Sequence, residues 1–231
     1  MLTPAKKRKL IIALKSYRKK YLGKKFANLD ESGTRLMVNT FLTDVLGFIS
    51  IEEIKTEYMI RGTYADYMIQ IQGKRYFLVE VKALSINLSD KHLRQAINYG
   101  ANEGIEWVLL TNGRTFEFYK ILFNKPIESK QIFAIDLNET RQLNFQVEVL
   151  QYLHKESILK KRLDILWNKY LALETTNIAG LLYTKTVINF LKRELKKKFK
   201  NKFDDNEIIE AINTLLIDKV DLENVKTNVR N

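Results

Sequence analysis

The sequence predicts a mixed α/β fold followed by a helical C-terminal region. Two short runs of alternating polarity, 66–72 and 76–82, are typical of a β-hairpin. Helical periodicity precedes this hairpin and returns after it, which favours a sheet flanked by helices. From about residue 145 the strand pattern fades and apolar residues recur every three or four positions. We therefore expect a mixed central sheet of about four or five strands within 29–140, and helices over 145–231.

Two helices are predicted before the strands. Thr3 is a favourable N-cap with proline at the first helical position, and apolar residues continue at helical spacing over about 4–21. The second helix begins between Asp30 and Gly33. It ends at Gly47, because glycine readily adopts the left-handed conformation that terminates helices.

The later elements alternate in the same way. Ser89 is the N-cap of a helix that runs to about Ala101. Asn112-Gly113 is a strong two-residue hairpin turn. The strands after the first hairpin are predicted over 105–111, 115–121 and 132–134.

The 231 residues are enough for one domain with an attachment or for two small domains. The change of pattern divides the chain into a basic N-terminal helix over 1–28, an α/β domain over 29–144 and a helical region over 145–231. No stretch approaches the roughly 20 apolar residues of a membrane helix. There is also no secretory signal, so we expect a cytoplasmic protein without membrane attachment.

Composition excludes several kinds of site. Cysteine is absent, which excludes disulfides, thiol nucleophiles and thiolate zinc sites. The two histidines, His92 and His154, are far apart in the sequence. Any metal must therefore be bound mainly by oxygen ligands, which favours Mg²⁺, Mn²⁺ or Ca²⁺ over Zn²⁺. No Gly-rich Walker loop is present, so a nucleotide-driven motor is not expected.

Three ionisable residues of the hairpin form the candidate site. Residues two apart in a strand face the same side, so Glu80 and Lys82 share a face. A two-residue turn at Gly73-Lys74 would place Asp66 opposite Val81, on the other side of the sheet. A three-residue connection or an equivalent bulge would instead place Asp66 directly across from Glu80, with about 5 Å between the Cβ atoms.

Two carboxylates in that arrangement suit a hard cation, Mg²⁺ or alternatively Mn²⁺. Such a cation polarises a phosphoryl oxygen, and a neighbouring lysine stabilises the negative charge that develops. Asp66, Glu80 and Lys82 would thus suffice to hydrolyse a phosphodiester. The alternative is an exposed ion pair between Glu80 and Lys82, which would contribute little to stability.

Positive charge is concentrated in two segments. The formal net charge is +12, residues 1–25 contain ten Lys or Arg and no acid, and residues 191–202 contain seven bases and one acid. This distribution favours a polyanion partner, although solvated lysine faces are the alternative. Because neither segment has the aromatic pattern of a single-strand platform, we expect contacts with duplex phosphates. The candidates are Lys6, Lys7, Arg8, Lys9, Lys196, Lys197, Lys198 and Lys200.

Six short segments follow one another over 29–121. They are ESGTR at 31–35, a helix end at 40–47, GTYADY at 62–67, FLVEVK at 77–82, QAINY at 95–99 and WVLLTNG at 107–113. This ordered set resembles the PD-(D/E)xK nuclease superfamily and, more narrowly, the N-terminal nuclease domain of the type I restriction enzyme R subunit and its stand-alone relatives. The alanine before Asp66 departs from the proline of the superfamily pattern.

The resemblance implies a restriction-endonuclease-like fold and a Mg²⁺-dependent DNA endonuclease in restriction or mobile-element defence. It implies Asp66 and Glu80 as metal ligands and Lys82 as the catalytic lysine. Glu31 would be a further metal contact, although an acid in the first turn of a helix is also favoured by the helix dipole. A nuclease-like DNA-binding or adaptor protein that cleaves nothing is the alternative.

Two further residues and the partners follow from the same resemblance. Gln95 and Tyr99 share a helix face. In similar enzymes this pair lies near the active site and helps place DNA or the metal, whereas the plain interpretation is an exposed helix pair. No motor sequence accompanies the motifs, so we expect a stand-alone nuclease or a piece of an assembly. Its expected partners are duplex DNA, a second copy of the chain and restriction-system subunits.

Overall fold

The structure is a computed structural model that describes residues 1–60 and 63–216. Residues 61–62 and 217–231 lie outside the described residues. Gly62 of the predicted 62–67 segment and the end of the predicted helical region therefore cannot be placed. No helix of the described part is both long enough and apolar enough to cross a membrane.

Among the described residues, six strands form one mixed sheet, which confirms the predicted α/β class and fits a restriction-endonuclease-like fold. The strands follow one another in the sheet in chain order, and all neighbours are antiparallel except β3 and β4. The first strand was not predicted, and the last is longer than the predicted 132–134. The strands are β1 Ile54–Ile60, β2 Thr63–Ile71, β3 Lys74–Val81, β4 Trp107–Thr111, β5 Thr115–Leu122 and β6 Glu128–Asp136.

Helices surround this sheet and make up the described part of the C-terminal region. A five-residue π-helical turn, Phe41–Val45, extends the second helix. Within 143–216 the described residues form helices and no strand, as the periodicity predicted. The helices are α1 Pro4–Tyr21, α2 Glu31–Thr40, α3 Asp90–Glu103, α4 Leu143–Leu153, α5 Lys155–Leu159, α6 Arg162–Ala172, α7 Thr175–Leu182, α8 Lys185–Phe199 and α9 Asp205–Leu216.

The N-terminal helix α1 is part of the core. Thr3 caps it by accepting a hydrogen bond from the backbone N–H of Lys6. Its apolar stripe of Leu10, Leu14 and Tyr17 is buried, and the helix contacts α4 and the π-helical turn. The Tyr17 hydroxyl also donates a hydrogen bond to the carbonyl oxygen of Gly113 at 2.8 Å. The basic residues of α1 therefore lie on the outer face of a packed helix.

The two faces of the sheet pack against different helices. On one face Phe77 meets Phe48 and Phe118 edge to face. On the other face α3 covers the sheet, where its Ala96 is buried in a cluster with Met68 and Leu78. Gly100 permits this approach, since a Cβ there would lie only 2.9 Å from the carbonyl oxygen of Ile105.

The β2–β3 turn differs by one residue from the expectation. Its two central residues are Gln72 and Gly73, with φ values of 51° and 77°, and Ile71 pairs with Lys74 across it. Both central residues are thus in the left-handed region, as in the tight turns that suit hairpins. A similar shift occurs after β4, where Asn112 precedes the turn instead of forming its centre. Its Oδ1 accepts hydrogen bonds from the backbone N–H groups of Arg114 and Thr115.

A bulge in β3 then resets the register of the hairpin. Gln70 pairs with Arg75 but Ile69 pairs with Phe77, so that Tyr76 is the extra residue. Beyond the bulge the pairing continues to Tyr67 and Val79. The pairing ends there, and one residue further the same register would place Asp66 opposite Glu80. The structure therefore has the bulge that was one of the two ways to bring these carboxylates together.

The chain divides into two compact units, residues 1–166 and 167–231. The first unit contains the sheet and the candidate site. The second has its own small core, in which Ala179, Tyr183, Ile188, Ile208 and Ile212 are buried. The three-part division at residues 28 and 144 remains a prediction about the domains.

Candidate active site

Asp66 and Glu80 lie side by side near the C-terminal end of β3, on the sheet face that α3 covers. Register places them on the same face as the Met68–Leu78 pair. Glu80 is only 3% exposed. Asp66 Oδ2 accepts a hydrogen bond of 2.7 Å from the backbone N–H of Val81, which ties its carboxylate to the end of β3. The site is at the strand ends in the middle of the sheet, not on an outer strand.

Lys82 completes the predicted trio. Its backbone N–H donates to the carbonyl oxygen of Thr111 at 2.8 Å, so the residue is aligned with the end of β4. Its Nζ donates a hydrogen bond of 2.6 Å to Glu80 Oε1, and its side chain is 12% exposed. Glu80 and Lys82 thus share a face, as the alternation predicted. They form a largely buried pair, in contrast to the exposed ion pair considered as the alternative.

The start of α2 brings one acid and one base to the same place. Arg35 Nε lies 3.2 Å from Asp66 Oδ1, and its guanidinium lies 3.8 Å from Glu31. Glu31 Oε2 is in turn 3.9 Å from Lys82 Nζ. Asp30 is the N-cap of α2 and accepts a hydrogen bond from the backbone N–H of Gly33. Its carboxylate therefore has a structural role.

Arg35 is the residue of the site that sequence reasoning missed. Asp66 has no basic partner within its own strand, but α2 supplies one from a distant part of the sequence. The available signal was the spacing of Glu31 and Arg35, which are four apart on a helix and belong to the 31–35 segment. Nothing in that spacing indicates which strand the helix approaches.

One oxygen of the site is buried without a partner. Glu80 Oε2 has no hydrogen bond among the described residues and almost no exposed surface. Burial raises the pKa of Glu80 from 4.5 to about 7, the hydrogen bond from Lys82 opposes this, and the charge of Asp66 adds to it. Isolating a charged oxygen in this way is unfavourable. A cation beside Glu80 would therefore be strongly favoured.

The neighbouring groups are shifted by the same environment. Burial raises the pKa of Asp66, although the N–H of Val81 and the charge of Arg35 act in the opposite direction. Burial would lower the pKa of Lys82, but the hydrogen bond and charge of Glu80 outweigh it and the net shift is upward. Lys82 is therefore a cation at neutral pH, suited to stabilise negative charge and unsuited to accept a proton.

The donor set fits a hard cation with few protein ligands. Glu80 Oε2 is a free, buried carboxylate oxygen, and Asp66 is its cross-strand neighbour. Oxygen-only coordination completed by water is typical of Mg²⁺. Among residues 1–60 and 63–216, however, no three His, Cys, Asp or Glu side chains are grouped closely enough to hold a metal ion. Glu31 lies 3.8 Å from the Arg35 guanidinium and 3.9 Å from Lys82 Nζ, and its role as a metal contact remains a prediction.

Residues 30–135 match the family model of the type I restriction enzyme R protein N terminus (HSDR_N). The match covers the whole sheet except the last residue of β6, together with α2 and α3. It confirms the resemblance to the N-terminal domain of the type I restriction enzyme R subunit and suggests a restriction-enzyme-related nuclease role. The chain matches no curated protein and no solved structure.

Within the HSDR_N segment, the predicted helix pair is formed. Gln95 Nε2 donates a hydrogen bond of 3.0 Å to the Tyr99 hydroxyl, one turn further along α3. Both residues border an open groove on the outer side of α3. His92, in the first turn of the same helix, was not singled out from the sequence. Burial and the positive charge of Lys82 lower its pKa, so it is close enough to the trio to interact with it.

The basic residues predicted to bind DNA lie outside the HSDR_N segment and fall into two groups. Lys6 Nζ is 2.5 Å from Glu156, and Lys7 forms an ion pair with Glu148. Arg8 and Lys9 are exposed on α1. The four lysines near the end of α8 are all exposed, and none has an ion pair with a described residue: Lys196, Lys197, Lys198 and Lys200. The second group is therefore the more available to an outside anion.

Proposed function

We propose that this chain is a Mg²⁺-dependent endonuclease, with Mn²⁺ as an alternative metal, that hydrolyses DNA phosphodiester bonds in restriction or mobile-element defence. The observation that supports this most directly is the unpartnered, buried Glu80 Oε2. Glu80 also forms an ion pair with Lys82, and the charge of the nearby Asp66 acts on it. A catalytic metal needs a free carboxylate oxygen of this kind as a ligand.

The chemistry that Mg²⁺ supplies when bound by Asp66 and Glu80 is polarisation of the phosphoryl group and activation of water. Lys82 stays protonated because of its raised pKa. Its ammonium group therefore stabilises the negative charge that develops on the phosphate oxygens. The N–H of Val81 holds Asp66 in place at the strand end. Preorganised groups of this kind favour the transition state over the ground state.

DNA is the substrate that the charge distribution favours. The chain carries a formal net charge of +12, and exposed lysines lie near the end of α8. Neutralised phosphates contribute most of the affinity of such proteins. The HSDR_N match points to restriction enzymes, and restriction-system subunits are the protein partners that this family suggests. A second copy of the chain would be needed to cut both strands at once.

One observation favours a second candidate, a nuclease-like DNA-binding or adaptor protein without activity. Arg35 contacts Asp66, and Lys82 contacts Glu80. Each carboxylate thus already has a cationic side chain beside it. If these contacts persist in the presence of Mg²⁺, the metal does not bind and no cleavage occurs.

Plasmid cleavage separates the two candidates. Wild-type protein should nick or linearise supercoiled DNA in Mg²⁺ or Mn²⁺ and not in EDTA. Lys82→Ala should reduce the rate at least about 100-fold, because one preorganised donor to developing charge is worth a factor of this size. Its affinity for DNA, measured in EDTA, should stay close to that of wild type, since Lys82 acts at the transition state.

Calorimetric titration with Mg²⁺ tests the ligands independently. Glu80→Gln and Asp66→Asn should each weaken Mg²⁺ binding severely. The matched controls are Lys125→Ala for Lys82 and Glu128→Gln for Glu80, both at exposed positions. The endonuclease proposal fails if wild-type protein neither binds Mg²⁺ nor cuts DNA, or if a carboxylate variant cuts at the wild-type rate.

A further inference from the structure

A polar stripe runs along the outer side of α3. It borders an open groove of about 480 Å³ and consists of Lys91, Arg94, Gln95, Asn98, Tyr99 and Asn102. These positions recur every three or four residues, so they form a single helix face. The opposite face of α3 carries Ala96 and Gly100, which are buried against the sheet. The stripe is therefore the surface that α3 presents outward.

The six residues of this stripe carry a net positive charge. Lys91 and Arg94 are exposed, and neither has an ion pair with a described residue. None of the six residues is acidic. Glu103, near the end of α3, forms an ion pair with Arg75 and lies off the stripe. Two cations accompanied by amides and a hydroxyl form a surface that suits phosphate and sugar oxygens.

The stripe begins beside the candidate active site. The Met68–Leu78 pair lies beneath Ala96, and the same register would place Asp66 opposite Glu80. His92 lies next to Lys91 in the sequence, and the charges of Lys82 and Glu31 act on its pKa in opposite directions. The first turn of α3 is thus at the catalytic end of the sheet. A ligand on the stripe would continue towards Lys82.

The dimensions match a nucleic-acid backbone. Lys91 and Arg94 are three residues apart, which is about 4.5 Å along the helix axis, so that their long side chains can reach neighbouring phosphates of one strand. From Lys91 to Asn102 the stripe spans about 16 Å.

From these observations we propose that the α3 stripe binds the sugar–phosphate backbone of duplex DNA next to the scissile phosphate, with Lys91 and Arg94 on neighbouring phosphates. The proposal deepens the endonuclease assignment and rests on it for the position of the scissile bond. Binding on the stripe, however, is a property of its own and can be measured without cleavage. No base is read, because the contacts are to phosphate and sugar.

The test is a salt series of DNA binding in EDTA, with duplex DNA followed by fluorescence anisotropy. It compares the parent protein, the double variant Lys91→Gln/Arg94→Gln and a control, Lys125→Gln/Lys160→Gln, which removes the same charge at two exposed sites. The stripe variant should reduce the slope of log K against log salt by about 1.8 and weaken binding roughly 60-fold at 0.1 M salt. The control should keep the parent slope.

A second variant distinguishes lost DNA contacts from a loss of folding. Asn98→Asp/Asn102→Asp keeps both cations and adds repulsion to phosphates, so it should also weaken binding while circular dichroism stays unchanged. Equal slopes for the stripe variant and the control would overturn the proposal, as would wild-type affinity in the aspartate variant. If the stripe variant loses slope but wild-type protein cuts no DNA, the endonuclease assignment fails and the binding surface stands.

Discussion

Glu80 holds one carboxylate oxygen in the protein interior without a hydrogen-bond donor. Such a group is unfavourable unless it is protonated or meets a cation. With a pKa of about 7, the residue is poised between these two states near neutral pH. The free energy of unfolding of the metal-free protein should therefore depend on pH through this single residue.

The free energy of unfolding should fall as pH rises from about 5 to about 7 in EDTA. Folding raises the pKa of Glu80 from 4.5 to about 7. The folded protein thus retains a proton that the unfolded chain releases, and stability is lost as pH passes through this window. The loss corresponds to about 3 kcal/mol. Glu80→Gln cannot lose that proton and should flatten the pH dependence.

Urea unfolding between pH 5 and pH 8 provides the measurement, with Glu128→Gln as the control at an exposed position. The control should keep the wild-type pH dependence. If Glu80→Gln and the control follow the same curve, Glu80 does not titrate in this range and its buried oxygen has a partner in solution.

The sequence predicted Asp66, Glu80 and Lys82 as site residues but not the side chains that contact them. Strand alternation put Glu80 and Lys82 on one face, because that periodicity is a property of every strand. The contact of Arg35 with Asp66 could not be predicted in this way. It depends on where α2 lies relative to β2, and neither local propensity nor residue spacing contains that distance.

Among the elements, the β2–β3 hairpin shows what limits prediction of register. A non-glycine residue with positive φ is uncommon, so nothing in the sequence marks Gln72 as the first central residue of the turn. The sequence also contains no pattern that indicates the bulge at Tyr76, although a bulge was one of the two geometries that could align Asp66 with Glu80. β1 was missed because its residues, IKTEYMI, are half polar.

Gln72→Asn should stabilise the protein by about 0.5–1 kcal/mol, since asparagine tolerates the left-handed conformation and Asn-Gly is the preferred pair in this turn. Chemical denaturation of wild type and variant measures the difference. Gln72→Ala is the control and should not stabilise, because alanine lacks that tolerance. Equal stabilisation by both substitutions would mean that relief of left-handed strain is not the cause.

The lysines near the end of α8 are predicted to bind duplex DNA, and this can be tested by substitution. Replacing Lys196, Lys197, Lys198 and Lys200 by alanine should lower the salt slope of duplex binding by about 3.6, at about 0.9 for each phosphate contact. Lys6→Ala/Lys7→Ala is the comparison. It should change the slope little and stability by less than about 1 kcal/mol, because both lysines are ion-paired on α1.

An unchanged slope in the quadruple α8 variant would mean that these lysines only face solvent and stabilise the C-terminal end of the helix through its dipole. Three of them lie in the last turn of α8, where that dipole effect applies. The assignment of Asp66, Glu80 and Lys82 would be unaffected, since it depends on the first unit alone.

At the scale of the whole molecule, two units should respond differently to metal. The candidate site belongs to residues 1–166, and residues 167–231 form the other unit. A ligand stabilises only the part that binds it in the folded state. Calorimetric melting should therefore show one transition that moves upward with Mg²⁺, and that movement should disappear in Glu80→Gln. A shift that persists in Glu80→Gln would place the metal elsewhere.

The burial of the α1 stripe has a practical consequence for recombinant fragments. A fragment cut at the limits of the HSDR_N match, residues 30–135, would lack the helix that carries Leu14 and Tyr17. Phe41, which stacks on Phe116 in the core and touches Tyr17, would lose part of its cover. Exposed apolar surface of this kind promotes aggregation. The segment that matches the family model is thus shorter than the segment that packs as one core, and expression of a fragment should include α1.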